Sequence, residues 1–430
     1  MMAMRINIDA MVSPMRNERL AIVAIGLTTF FIAYAPIFGP VFILGFYALW
    51  FPLLFIGGRQ IIGDPRPYYW IVAFPLLGCL SAAWSPVADL SLRGGLQYAT
   101  TIVCALTASR VVSVRALTAG LCIGSCAVLT YSLMFGQFSY DPLDGVYSFI
   151  GAFGSKNQLG IFASLAVLAA FGVLFGMKTG PILRITALAS GAFGAFSLYA
   201  AQSATSTITV AAAIAATGGA LLLAKFSPRH RTIFVTTAVP AALIGVVIAL
   251  SSGLYGAILG VFGKDTTLTG RTYLWQRGIE IAHEQPVFGI GFQGFWVQNS
   301  SRPEVLWQQF YIGSRTGFHF HNTYIETMVE LGYVGLLLLA AIMIGMMAGY
   351  IYRLLTATRQ DDVVLFSVVT LFLARSFFEV DFLNQYTIGT FLVYYAAGAL
   401  AKPQAETWVR TVNFGTSRPL PHPFQTRARQ

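Results

Sequence analysis

Apolar stretches recur along almost the whole chain, parted by short polar or basic segments. A helix crossing a hydrocarbon core of about 30 Å needs roughly 20 apolar residues at a rise of about 1.5 Å per residue. Residues 20–58 and 185–224 carry no charged side chain over 39 and 40 positions, room for two crossings each. The first pair would turn near Pro36 and Pro40, the second at Gln202-Ser203-Ala204-Thr205-Ser206. Single crossings fit residues 67–88, 94–109, 116–140, 157–177, 232–263, 331–352, 363–378 and 382–401. The pattern predicts an all-α, polytopic integral membrane protein with about 12 transmembrane helices.

Composition narrows the class. With 56% apolar and 10% charged residues, a particle of 430 residues has too little polar surface to be a soluble enzyme. An aromatic share of 14% argues against disorder. The four cysteines, Cys79, Cys104, Cys122 and Cys126, all fall inside predicted spans, so no disulfide framework is expected. With the N-terminus cytoplasmic, 19 of the 27 Lys and Arg residues fall on the cytoplasmic side and every span alternates. The net charge of +10 is then a topology signal rather than a nucleic-acid footprint. The first span follows a basic stretch, lacks a small-residue cleavage site and reads as a signal anchor. The expected organisation is a cytoplasmic tail at 1–19, nine spans over 20–252, a large outer loop at 253–322, three spans over 323–401 and a flexible cytoplasmic tail at 402–430.

The outer loop is far longer than a connection needs, which marks it as functional. It holds His283, His319 and His321, three of the five histidines, with Lys264, Arg271, Arg277, Arg302, Arg315 and many aromatics. Such groups bind phosphate, move protons and stack on sugar rings. Residues 271–284 have helical character and would lie along the membrane surface. Arg271 and Arg277, six positions apart, would point about 120° apart, so one small anion meets both only if the helix ends between them. Ser301-Arg302-Pro303-Glu304 reads as a capping box, making Glu304 a cap rather than an acid catalyst.

Asn322 is placed to cap the next span, and His321 sits at that positive helix end, where its imidazole either accepts a proton or merely anchors the terminus. His319 and His321 share one face of an extended segment, yet no cysteine and no well-placed carboxylate completes a metal set. Neither a metal nor another cofactor is expected. Gly289-Ile290-Gly291-Phe292-Gln293-Gly294 spells GxGxxG without the strand and helix context of a dinucleotide site, and reads as turns. Arg375, Glu379 and Asp381 gather where the eleventh span meets the outer surface. Arg375 and Glu379, at i and i+4, either pair with each other or bind an anion. Arg93 and Lys156 are lone cations beside helix starts.

On Gly270-Arg271-Thr272-Tyr273-Leu274-Trp275, Pro286-Val287-Phe288-Gly289-Ile290-Gly291-Phe292, and His321-Asn322 followed after nine residues by Gly332, the chain resembles the O-antigen ligase and polymerase superfamily, in its exopolysaccharide-production branch. Trp84-Ser85-Pro86 through Arg93 and the stretch from Phe153 to Gly160 look similar as well. The resemblance implies a GT-C-like membrane glycosyltransferase at the outer face of a bacterial inner membrane. Its substrate would be an undecaprenyl-diphosphate-linked oligosaccharide, with neither nucleotide sugar nor nucleic acid involved. Arg271 would bind the diphosphate and His321 would activate or orient the acceptor hydroxyl. Arg93, Lys156, Arg277, Arg315 and Arg375 are further candidates for the anion, with Asn322 and His319 as further substrate-binding positions. Membrane lipid surrounds such a protein, and chain-length regulators and export proteins are candidate partners.

Two other readings compete. A ligase would move a finished glycan onto lipid A core, sharing donor and fold with a polymerase. A transporter or flippase would also have many spans, but usually places ionisable groups and broken helices near the bilayer midplane, whereas here the spans are nearly charge-free and the polar groups gather in one outer loop.

Overall fold

The structure, a computed structural model, describes residues 13–14, 16–58, 61, 63–143, 145–252, 260, 270–357 and 359–402. The expected tails before residue 13 and after residue 402, and most of the first part of the long loop including Lys264, lie outside the described residues. The chain is overwhelmingly helical. In order come α1 (Glu18–Phe38), α2 (Pro40–Ile56), α3 (Tyr69–Leu80), α4 (Ala88–Val111) and α5 (Val114–Phe135), then a hairpin of β1 (Gln137–Asp141) and β2 (Val146–Gly151). These are followed by α6 (Lys156–Gly176), α7 (Pro181–Ala201), α8 (Ala204–Leu223), α9 (Pro228–Ser251), α10 (Arg271–Ala282), α11 (Ser301–Gln309), α12 (Thr323–Thr356), α13 (Gln360–Ser376) and α14 (Ile388–Ala401). A helix lies over each of the twelve stretches read as crossings, and α10 and α11 belong to the long loop.

Six of these helices, α1, α5, α6, α7, α8 and α12, are long and apolar enough to cross a membrane, and α2 and α14 are apolar but shorter. Large apolar side chains such as Val41, Phe55, Ile182, Leu337 and Ile344 point outward from the bundle, a surface that water would penalise and lipid accepts. This is a multi-pass membrane protein. Lipid tails are as apolar as leucine, so helices associate by close packing of small residues and by internal hydrogen bonds. α1 crosses α5 at Gly26, Gly120 and Gly124, where a Cβ on Gly124 would stand 2.8 Å from the Gly26 carbonyl oxygen. Hydroxyls buried in the helices bond back along their own backbone, as Thr29 does to the Ile25 carbonyl at 2.8 Å.

Three features depart from the sequence expectations. The span expected over 116–140 ends at Phe135, and the hairpin that follows amends the all-α class by one two-stranded antiparallel sheet. Its turn is built by Asp141, whose carboxylate accepts the Leu143 N–H at 3.1 Å, and by Gly145 at φ +66°. The expected capping box does not form: Ser300 is the N-cap of α11, without a side-chain cap, and Glu304 accepts the Asn299 N–H at 3.2 Å.

The third departure is a break within α12. Gly332 has φ +63°, so the helical bonds from 333 and 334 to 329 and 330 are not made. The loop supplies replacements for all four groups. Tyr333 and Val334 N–H donate to the Pro286 and Val287 carbonyls at 2.7 and 3.2 Å, while Ile290 and Gly291 N–H donate to the Val329 and Glu330 carbonyls at 3.0 and 2.8 Å. The GxGxxG run is thus a backbone plug for a helix break. Side chains are excluded there, since a Cβ on Gly332 would meet the Val287 oxygen at 2.3 Å.

Candidate active site

On one side of the bundle, the long loop, the hairpin, the polar 202–206 turn and the segment after α13 surround a cavity of about 1420 Å³. Apolar side chains of the bundle, among them Ile32, Ile37, Ile161 and Phe162, line part of it. Arg271, Lys156, His319, His321, Glu379 and Asp381 are among its polar lining residues. Local structure aims each of them. Arg271 is the first residue of α10, after Gly270 at φ +79°. His321 precedes the cap of α12, Lys156 opens α6, and Glu379 follows the end of α13.

Glu379 is the centre of the array. Its side chain is 4% exposed, and its two oxygens serve different partners. Oε1 accepts from Arg271 Nη2 at 2.7 Å, and Oε2 lies 3.2 Å from His321 Nδ1. The Arg271 guanidinium also donates through Nη1 to the Phe378 carbonyl at 2.9 Å and the Thr205 hydroxyl at 3.3 Å. Burial pushes the Glu379 carboxyl up, but Arg271 and then His321 outweigh it and hold the group well below the ordinary range. Glu379 is therefore a carboxylate and can only accept. His321 therefore carries a proton on Nδ1 toward Glu379, and in the neutral tautomer this leaves the lone pair on Nε2.

The histidine pair is locked from several directions. His321 occupies the left-handed region at φ +50°, and its backbone N–H donates to His319 Nδ1 at 3.1 Å. Burial, followed by the closeness of the His321 ring, pushes His319 down to about 3, so its ring is neutral with the proton on Nε2, 3.9 Å from Glu379. Between them, the Phe320 carbonyl accepts from Trp275 Nε1 at 2.9 Å and its N–H donates to Glu326 at 2.7 Å. The Thr323 hydroxyl donates to the Glu379 carbonyl at 2.6 Å, tying the two segments together.

The other candidates fall in different places. Lys156 is in the cavity, paired with Asp141 of the hairpin at 2.8 Å. Arg277 and Arg315 point elsewhere, paired with Glu280 at 2.6 Å and Glu304 at 2.8 Å, and Arg93 is exposed on α4; none of the three lines the cavity. Arg277 diverges because α10 continues unbroken past it. Asn322 caps α12 as expected, its Oδ1 accepting from the Tyr324 and Ile325 N–H groups at 2.9 and 3.1 Å, and its amide donates to the Phe377 carbonyl at 3.1 Å.

Arg375 does not pair with Glu379. Its Nε and Nη2 donate to Asp381 at 2.5 and 3.3 Å and its Nη1 to the Ser206 hydroxyl at 2.9 Å, all in the protein interior. The i, i+4 relation fails because α13 ends at Ser376, so Glu379 is not on its face. The roles of Glu379, Thr205 and Asp141 went unread in the sequence. The carboxylate found wanting for a metal set is Glu379: with His319 and His321, it places ligand atoms within 4.8 Å of one another. Against a divalent ion stands Arg271, a permanent cation already bonded to the same carboxylate.

The sequence model of a family described as O-antigen ligase matches residues 189–340, the stretch that holds Arg271, His321 and the Gly332 joint. Over 402 residues the chain is 44% identical to the exopolysaccharide production protein ExoQ of Rhizobium meliloti (strain 1021), covering 93% of this chain and 92% of that protein. The chain belongs to the O-antigen ligase and polymerase superfamily. In this superfamily member the stretches at 270–275, 286–292 and 321–332 have one physical purpose between them. The first delivers Arg271 to Glu379, the third delivers His321 to the same carboxylate, and the second braces the helix break that follows.

Proposed function

We propose that this protein is an exopolysaccharide or O-antigen-type polymerase of the bacterial inner membrane. It transfers a growing glycan from undecaprenyl diphosphate to a sugar hydroxyl of another lipid-linked repeat unit. In this reading twelve helices cross the membrane in a GT-C-like arrangement, both termini are cytoplasmic, and the cavity opens to the periplasm. The observation that carries it is the array of Arg271, Glu379 and His321 on the wall of a cavity that also has an apolar side.

The apolar side suits a polyprenyl chain, and Arg271 and Lys156 suit its diphosphate. The acceptor hydroxyl attacks the anomeric carbon as its proton passes to His321 Nε2. The bond from that carbon to the diphosphate oxygen breaks, its electron pair leaves with the lipid diphosphate, and the anomeric centre inverts. Glu379 keeps the proton of His321 on Nδ1 and stabilises the imidazolium that forms. Arg271 and Lys156 offset the charge that grows on the leaving group, so the step requires no metal ion.

Purified protein in lipid nanodiscs, given an undecaprenyl-diphosphate-linked repeat unit, should build longer lipid-linked chains without any ion gradient. His321→Ala and Arg271→Ala should abolish this while the protein still inserts; unchanged chain lengths would remove those residues from the mechanism. The match to a family described as O-antigen ligase favours a second reading, transfer onto lipid A core. Cells lacking the protein would separate the two, accumulating single lipid-linked repeats for a polymerase and long unligated polymer for a ligase.

A further inference from the structure

The hairpin between α5 and α6 turns a polar set of side chains toward the cavity. Its register pairs Phe138 with Phe149, Ser139 with Ser148 and Tyr140 with Tyr147. Because side chains alternate along a strand, Gln137, Ser139, Asp141 and Ser148 share one face with Val146 and Ile150, and the four aromatics share the other. Gln137, Ser139, Asp141 and Ser148 line the cavity together with Ile150 and Tyr140, while Phe149 is buried in the core and Phe138 and Tyr147 are 66% and 69% exposed.

One of the polar groups is unsatisfied. Ser148 is 1% exposed, borders the cavity, and its hydroxyl has no hydrogen-bond partner among the described residues. A hydroxyl buried in this way is costly unless something in the cavity completes it. The charges on this wall cancel, since Asp141 is paired with Lys156 at 2.8 Å. Away from that pair, the polar groups of the face are uncharged hydroxyls and an amide, suited to sugar hydroxyls.

We infer that this face of the hairpin is the subsite for the first sugar of the donor, a neutral hexose joined directly to the diphosphate. The assignment rests on the lipid-diphosphate donor proposed above. Lys156, at the edge of the same wall, sets the ring next to the phosphates. Ser139, Ser148 and Gln137 take its hydroxyls.

The test uses the full chain in lipid nanodiscs and three ligands: undecaprenyl diphosphate, and the same lipid carrying one glucose or one galactose on its terminal phosphate. In the wild type at least one hexose should tighten binding by about tenfold over the bare lipid. Ser148→Leu, which fills the face, and Gln137→Leu, at its exposed rim, should each cut that gain to within about twofold while leaving the Kd of bare undecaprenyl diphosphate unchanged. An intact gain in both variants, equal weakening of all ligands in both, or no gain from either hexose in the wild type would overturn the assignment. Failure of the wild type to bind bare undecaprenyl diphosphate would instead remove the donor reading, and this subsite with it.

Discussion

The replacement Glu379→Gln keeps the shape of the central side chain and removes its charge. In the native site one oxygen accepts from Arg271 at 2.7 Å and the other from His321 at 3.2 Å. A carboxamide donates as well as accepts, so it no longer selects the tautomer that leaves Nε2 free. A positioned general base contributes about 10²–10⁴-fold, or about 2.7–5.4 kcal/mol of barrier. We expect kcat to fall by at least about a hundredfold. The same change leaves Arg271 without its counter-charge, so the KM for the lipid-diphosphate donor should fall, on the order of fivefold. Steady-state transfer from a radiolabelled lipid-linked donor in nanodiscs reads both quantities, and thermal unfolding checks the fold. A kcat within threefold of wild type, or a KM that rises, would refute the shared role of Glu379.

Four further outcomes are expected. His319 has a folded-state value of about 3 against 6.5 when unfolded, so the unfolded chain binds the extra proton in that window and stability falls as pH drops below about 6.5. His319→Asn, which keeps an acceptor for the His321 N–H, should lessen the loss between pH 6.5 and 5 by about 2 kcal/mol in thermal unfolding, and an unchanged pH profile would contradict it. Gly332→Ala should cost several-fold in folded yield, because its Cβ would stand 2.3 Å from the Val287 oxygen, whereas Gly218→Ala, with nothing within 4 Å, should not. Arg375→Ala should lower stability by about 3–5 kcal/mol through the stranded Asp381 carboxylate, read as a drop in Tm, and a Tm equal to wild type would show the pair to be dispensable. Transfer activity should survive a chelator, and its loss with recovery on adding a divalent ion would assign His319, His321 and Glu379 to a metal.

Much of the architecture was legible in the linear pattern. Spacing between charges is a local property, and it located a helix at every expected crossing, the two loop helices at 271 and 301, and the cap at Asn322. Arg271, His321 and Lys156, singled out through the family resemblance, line the cavity, whereas Arg93, Arg277 and Arg315, singled out in the same way, do not. The hairpin was within reach: alternating aromatics flank Asp141-Pro142 and Gly145, a turn signal hidden by the apolar run that precedes it.

The chain alone determined that this is a helical membrane protein with its chemistry gathered outside the helices, because hydrophobic length and charge placement act residue by residue. Only the tertiary structure decided which acid meets which base. Glu379 lies 108 positions from Arg271 and 58 from His321, while the nearby Arg375 turns to Asp381. Helix ends set those pairings: α13 stops at Ser376, α10 starts at Arg271 and α12 is capped at Asn322. The direction of a side chain at a helix end depends on what packs around it, and no spacing rule along the chain carries that information.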